Sequence, residues 1–411
     1  MRLYIDPGTG SMLFTILMGV FGAGIYGLRN LSMKLKFRAS GGKAEPVDPN
    51  RVPIAIFSDD KRYWNVFEPI CDNLEARGQE AVYLTASSDD PALQKHYEHI
   101  RCRFIGEGNR AFAVLNTLKA DILLSTTPGL DVYQWKRSKD VRWYVHIPHA
   151  ATDLTLYRMF GVDYYDAVLT SGDYQEKQLR DLERLRGLPP KEIELVGCTY
   201  LDVMRERLKK SGPAPAHETT VLLAPSWGQS AILSRYGERM IDALLDTGYH
   251  IVIRPHPQSF KSETELMERL MRKYPESDKL EWNRDNDNFE ILRRSDIMIS
   301  DFSGVIFDYV LVYDKPVIYA DTQFDKGPYD TWWLEEEPWV FRSMPLVGRA
   351  LDETMFGDLR GVIRECLSGE SYARGRQQAR NEAWQREGEG AARATDYLIR
   401  KLEEIRNKTA E

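Results

Sequence analysis

Two short segments place side chains suited to holding an anion at the ends of apolar strands. Residues Ser300-Asp301-Phe302-Ser303-Gly304 follow the apolar run Ile297–Ile299 and precede an amphipathic helical pattern, after which Lys315-Pro316 turns the chain into a second apolar run, Val317–Ala320. This reads as a βαβ unit whose polar residues lie at a strand's carboxyl end, the edge at which open α/β sheets bind ligands. Helix N–H groups exposed there favour phosphate. The hydroxyls of Ser300 and Ser303 and the N–H groups around Gly304 would cradle a pyrophosphate, because glycine lets a ligand approach closely. Asp301 belongs to the same donor-binding turn, as an orienter of a neighbouring His or hydroxyl or as a helix cap, and Asp308 reads as structural. Upstream, Ile251-Val252-Ile253 ends in Arg254-Pro255-His256-Pro257. In an extended segment Arg254 and His256 point the same way. The guanidinium fork and a protonated imidazole both suit phosphate oxygens.

The first half of the chain closes another strand with Val145-His146-Ile147-Pro148-His149-Ala150-Ala151. A general base for a hydroxyl needs a pKa near the working pH, which imidazole meets without large perturbation. His149 is the candidate base, and His146, earlier on the strand, reads as a core residue. Pro225-Ser226-Trp227-Gly228 ends a further strand: Ser226 could present helix N–H groups, and Trp227 could stack on a base or fill an interface. Phosphate-loop, dinucleotide-fingerprint and HExxH spacings are absent, so kinase, dehydrogenase and metalloprotease chemistry drops out. No metal and no cofactor is expected.

These residues need a scaffold that brings strand ends together. Apolar runs alternate with helical patterns from Ile54–Phe57 through Glu194–Val196 and again from Val221–Ala224 through Val317–Ala320, which predicts parallel sheets covered on both faces. Ser211–Ala216, rich in Pro and Gly, breaks the two series. At 411 residues the chain is long enough for two such domains. A net charge of −7 gives no basic field for nucleic acid. The four scattered cysteines lack metal-ligand spacing and read as buried thiols. At the amino terminus, Met12–Leu28 is uncharged and is followed by Arg29, Lys34, Lys36 and Arg38. It is at the short end for a spanning helix, which takes about 20 residues. If it spans, the basic flank puts the remainder on the cytoplasmic side.

Together these pieces resemble the CDP-glycerol glycerophosphotransferase family of teichoic-acid primases and polymerases, over roughly residues 140–405. The most specific are Arg254-Pro255-His256-Pro257 and Asp296–Asp308 with Lys315-Pro316; Pro225-Ser226-Trp227 and the Gly388–Arg393 stretch are weaker. The resemblance implies a GT-B fold, two Rossmann-like domains facing across a cleft with a final helix crossing back. It also implies attack of an acceptor hydroxyl on the glycerol-bearing phosphorus of CDP-glycerol, with CMP expelled and the acceptor typically a lipid-linked glycan. His149 would then be the base, and Arg254 and His256 would grip the phosphates with Ser226, Trp227, Ser300, Asp301, Ser303 and Gly304 beside them. The chain departs from the family pattern at Ala150-Ala151-Thr152-Asp153, where Gly, Thr-Pro and Lys are usual, and at Gly228, where Arg is usual.

The expectation is therefore an α/β GT-B-like enzyme at the cell membrane, its catalytic domains on the cytoplasmic side. Residues 1–39 form a membrane-anchoring segment, 40–50 a linker, 51–210 an acceptor domain, 217–370 a nucleotide-donor domain and 371–411 helices crossing back. The alternatives are a GT-B glycosyltransferase or nucleotide-sugar epimerase using a UDP- or other nucleotide-sugar, and a binding protein that has lost the chemistry.

Overall fold

The strands are nearly continuous apolar runs because the sheets they build are parallel and covered on both faces. In a computed structural model that describes residues 51–212, 214–285, 287–320 and 324–410, the first seven strands are β1 (Val52–Ser58), β2 (Ala81–Thr85), β3 (Ile100–Phe104), β4 (Ala120–Ser125), β5 (Val141–His146), β6 (Ala167–Thr170) and β7 (Glu192–Leu195). They form one sheet in the order β3-β2-β1-β4-β5-β6-β7, parallel throughout. A second sheet holds β8 (Thr220–Leu223), β9 (His250–Ile253), β10 (Leu280–Trp282), β11 (Ile297–Ser300), β12 (Val317–Ala320) and β13 (Gly348–Leu351), in the order β10-β9-β8-β11-β12-β13. Each order reverses direction once, between β1 and β4 and between β8 and β11. The carboxyl ends at those reversals form the crevice in which doubly wound sheets hold ligands. The chain is thus α/β, with two Rossmann-like parallel sheets in a GT-B-like arrangement.

Sequence patterning misses one strand. β13 carries Arg349 and begins at Gly348, so it shows no apolar run, yet it pairs along β12 from Val317↔Gly348 to Ala320↔Leu351. Glycine is required there: a Cβ on Gly348 would lie 2.5 Å from the Val317 carbonyl oxygen. The helix expected over 305–312 is α-helical only at Val305–Asp308 and then widens into a π turn, Tyr309–Tyr313, which ends at Asp314 in the left-handed region. Lys315 follows and donates to the carbonyls of Arg293 and Ser295, each at 2.6 Å. It caps the helix Phe289–Arg294 at the end where carbonyls lack an intrahelical partner. Burial pushes the Lys315 amine down to about 8.

The two sheets lie within one compact unit, Val52–Glu403, and are joined by buried carboxylates working in opposite directions. Asp153, after β5, accepts from Trp339 N at 2.7 Å and Val340 N at 2.8 Å, and also from Gln178. It therefore caps the helix Trp339–Val347 of the second half, which begins at Pro338 with no cap of its own. Reciprocally Asp330, beyond β12, accepts from Phe160 N at 2.9 Å and Gly161 N at 3.3 Å and pairs with Arg186 at 2.5 Å. Arg186 also meets Asp163.

The helix Ala373–Ala383 touches both halves through glycines. A Cβ on Gly375 would sit 1.8 Å from Leu346 O, and one on Gly172 would sit 2.2 Å from Glu382 O. The helix Gly390–Ala410 then returns to the first sheet: Trp143 Nε1 donates to Tyr397 OH at 3.1 Å, and Lys401 pairs with Glu192 at 2.6 Å. Met12–Leu28, expected to anchor the chain, lies outside the described residues. Among the described residues no helix is long and apolar enough to cross a membrane.

Replacing Asp153 with Ala leaves two buried N–H groups without acceptors. The loss expected is about 2–4 kcal/mol, read by urea unfolding, and Asp153→Asn, which keeps an acceptor oxygen, should lose less. Equal stability of Asp153→Ala and wild type would remove this carboxylate from the joint.

Candidate functional site

The loops after β8, β9 and β11 form the second-half rim of the crevice, and their polar residues divide into those that build it and those that face it. Asp301 is fully buried, and its carboxylate accepts from Ser226 N at 2.9 Å and Ile232 N at 3.0 Å. Burial lifts its pKa to about 6 against these bonds, which favour the carboxylate. Ser300 is equally buried and donates to Ala224 O at 2.6 Å. Both tie the β11 loop to the β8 loop: Ser300, expected in the phosphate cradle, commits its hydroxyl to Ala224 O, while Asp301 takes the capping role, one of its readings from sequence, at the helix beginning at Ile232. Ser303 and Gly304 remain partly exposed, and Gly304 faces the first half, where a Cβ would meet Thr152 at 3.6 Å.

Arg254 and His256 also part company. β9 ends at Ile253, so the expectation of a common direction for an extended segment fails. Arg254 reaches the β10 end, donating to Asn283 and, at 2.7 Å, to Asp285 O. His256 lies beside Trp227, ring centroids 6.4 Å apart. Its Nδ1 accepts from Gln258 N at 3.1 Å, which places the proton of a neutral ring on Nε2. Burial, then the charge of Arg62, holds its pKa down at about 4. His256 thus presents a neutral N–H donor. Gly228, next to Trp227, has φ +94. A side chain there would be strained.

On the first-half rim, His149 sits between aromatic rings, 4.7 Å from Tyr63 and 6.3 Å from Tyr157, with Nδ1 3.2 Å from Thr126 Oγ1. One edge of the ring reaches solvent, yet its depth among protein atoms, and then Arg62, hold its pKa at about 4. His146 is fully buried against Tyr157 and Tyr165 and belongs to the core. A cavity of about 300 Å³ brings the halves together, lined by Asp60, Lys61 and Arg62 after β1 and by Trp227, His256, Pro257, Gln258 and Lys261. A larger depression of about 530 Å³, lined by Asp173, Leu195, Asn381 and 384–387, holds none of the candidate residues and lies along the crossing helices. The smaller one gathers the cations and the imidazole.

Arg62, Tyr63 and Thr126 escaped the sequence reading. In the sequence Arg62 only opens a helical pattern, 62–76, and the strand order, with β1 beside β4, marks its turn as part of the crevice. Among the described residues no group of His, Cys, Asp and Glu side chains is placed to hold a metal ion.

With this geometry the chain can be set beside known proteins. Residues 195–332 match the model of the family described as CDP-Glycerol:Poly(glycerophosphate) glycerophosphotransferase, a stretch that contains Ser226, Trp227, Arg254, His256 and Ser303. No curated protein matches the chain. Among solved structures, the wall teichoic acid polymerase TagF, a variant soaked with CDPG, is similar with a TM-score of 0.56 at 14% identity, covering 94% of this chain and 98% of that one. The UDP-GlcNAc 2-epimerase of Methanocaldococcus jannaschii, bound to UDP-GlcNAc and UDP, gives 0.55 at 13% identity, covering 85% and 99%. The MnaA–UDP structure from S. aureus gives 0.55 at 13%, covering 87% and 97%. At these identities the likenesses speak for the fold alone.

Both histidines should be neutral at pH 7 and titrate near pH 4 by NMR. Arg62→Gln should move both midpoints upward, since it removes a positive charge that opposes protonation. Because an unfolded chain takes up these protons first, near 6.5, stability should fall as pH drops from about 6.5 toward 4. Ordinary titration of both rings near 6.5 would contradict the burial described. Over residues 195–332 the chain carries the pattern of the CDP-glycerol glycerophosphotransferases, on a fold shared with a teichoic acid polymerase.

Proposed function

We propose that the chain transfers glycerol phosphate from CDP-glycerol to a hydroxyl of a lipid-linked or cell-surface glycan precursor and releases CMP. His256 carries the reading: a neutral imidazole with its proton on Nε2, beside an indole, in a cavity that Lys61, Arg62 and Lys261 also line, within the stretch that matches the family. In this reaction the acceptor oxygen forms a bond to the glycerol-bearing phosphorus, and the bond from that phosphorus to the bridging oxygen breaks. The bridging oxygen leaves with CMP. His149, neutral at pH 7, takes the acceptor proton. His256 donates to a phosphate oxygen as charge develops, while Trp227 supports the nucleotide. Arg254, already committed to Asn283 and Asp285, holds the β9 and β10 ends together as positioning for His256, and Ser303 and Gly304 offer a hydroxyl and backbone N–H groups from the β11 turn of the same rim.

In this reading residues 51–210 hold the acceptor and 217–370 the nucleotide, with 371–411 crossing back. The apolar run Met12–Leu28 and its basic flank support attachment to the membrane with the sheets on the cytoplasmic side. A lipid-linked acceptor suits that placement.

Purified protein given CDP-glycerol and a lipid-linked acceptor extract should release CMP. His149→Ala and His256→Ala should each lower turnover by roughly 10²–10⁴-fold with the circular dichroism spectrum unchanged. A nucleoside diphosphate released from a UDP-sugar, with no CMP from CDP-glycerol, would move the enzyme to the glycosyltransferases or epimerases. Wild-type turnover in both variants would remove the histidines from the mechanism.

A further inference from the structure

The cavity beside Trp227 has lips from both halves, and the first-half lip has so far no role. It consists of Asp60, Lys61 and Arg62 on the turn at the carboxyl end of β1, next to the reversal of strand order. Asp60 shapes this turn twice: its carboxylate accepts Arg62 N at 2.9 Å and takes the guanidinium at Nε at 3.2 Å. The guanidinium carbon stands 5.5 Å from the Tyr63 ring centroid. An Nε-bound guanidinium keeps its two terminal nitrogens as the fork suited to phosphate oxygens. Lys61, in contrast, is tied to Asp89.

The second half brings no guanidinium into this cavity. The residue after Trp227 is a glycine whose φ of +94 disfavours any side chain. Arg254 is engaged with Asn283 and Asp285, and His256 is a neutral donor. Lys261 lines the cavity, but its ammonium is a point charge and not a planar fork. A diphosphate lying against Trp227 and His256 would therefore find its planar cation across the crevice.

The geometry points to Arg62 as the residue that grips the donor's diphosphate from the first half, so that the nucleotide bridges both sheets. The inference rests on the nucleotide-donor reading above. It assigns to the β1 turn the charge that the family pattern carries at position 228.

Titration calorimetry of the full chain with CDP-glycerol, CDP and CMP tests it. Arg62→Ala should weaken CDP and CDP-glycerol by roughly 10- to 100-fold, the worth of a charge-assisted contact, and CMP by less than about 3-fold. Arg62→Lys should recover part of the loss, and thermal unfolding should not change, because the side chain is exposed. Equal affinity of Arg62→Ala and wild type for CDP overturns the inference and leaves the donor reading intact. An equal loss for CMP and CDP also overturns it, because the residue would then not be reading the second phosphate. If the wild type binds UDP in place of CDP, the donor reading falls and Arg62 is judged by UDP against UMP. Wild-type protein that binds no nucleoside diphosphate overturns both.

Discussion

The crevice exists because two buried carboxylates are satisfied across it in opposite directions. Asp153 leaves the first sheet to cap a helix of the second half, and Asp330 leaves the second half to accept N–H groups of the first. An unpaired carboxylate at such depth would be costly. Each half therefore needs the other to keep its own anion solvated. Burial raises the pKa of both groups, and the backbone N–H groups of the opposite half pull it back. Next to the first of these joints, Thr152 approaches Gly304 closely enough that a Cβ there would meet it at 3.6 Å. The Asp153 contact also accounts for one departure from the family pattern: the residue that replaces a usual Lys segment is here a helix cap.

Inside the second half a similar device sets the ligand-facing loops. Asp301 gathers the N–H groups of Ser226 and Ile232, and Ser300 bonds Ala224 O, so the β8 and β11 turns are one object. What then faces the cavity is a small set of groups with fixed proton positions. His256 owes its outward N–H to the Gln258 amide, and its neutrality to burial and to the nearby guanidinium. His149 is neutral for the same two reasons. The Arg62 charge, which lowers both imidazole pKa values, would be partly neutralised by a diphosphate. The bound donor would then raise the proton affinity of both rings.

Most of this fold was legible because parallel strands advertise themselves. β2, β6, β10, β11 and β12 coincide with apolar runs in the sequence, and the other strands differ by a residue or two at their ends. β13 was not legible, since an edge strand beginning in glycine and carrying Arg349 has no apolar signature. For the site, sequence marked the strand ends correctly but not the direction of their side chains. It assigned Ser300 to the ligand, where its hydroxyl bonds Ala224 O instead, and it aligned Arg254 with His256 across a point where the strand has already ended. Arg62 was invisible for a different reason. Its importance comes from strand order, and order is a property of tertiary pairing that no local pattern encodes.

The helix Ala373–Ala383 lies so close to both halves that a single methyl group at Gly375 or at Gly172 would collide with a carbonyl oxygen. Close-packed seams of this kind resist sliding, since any translation drives backbone into backbone. With the Asp153 and Asp330 joints, the helix therefore holds the two halves in one register, and neither glycine could gain a side chain without parting them.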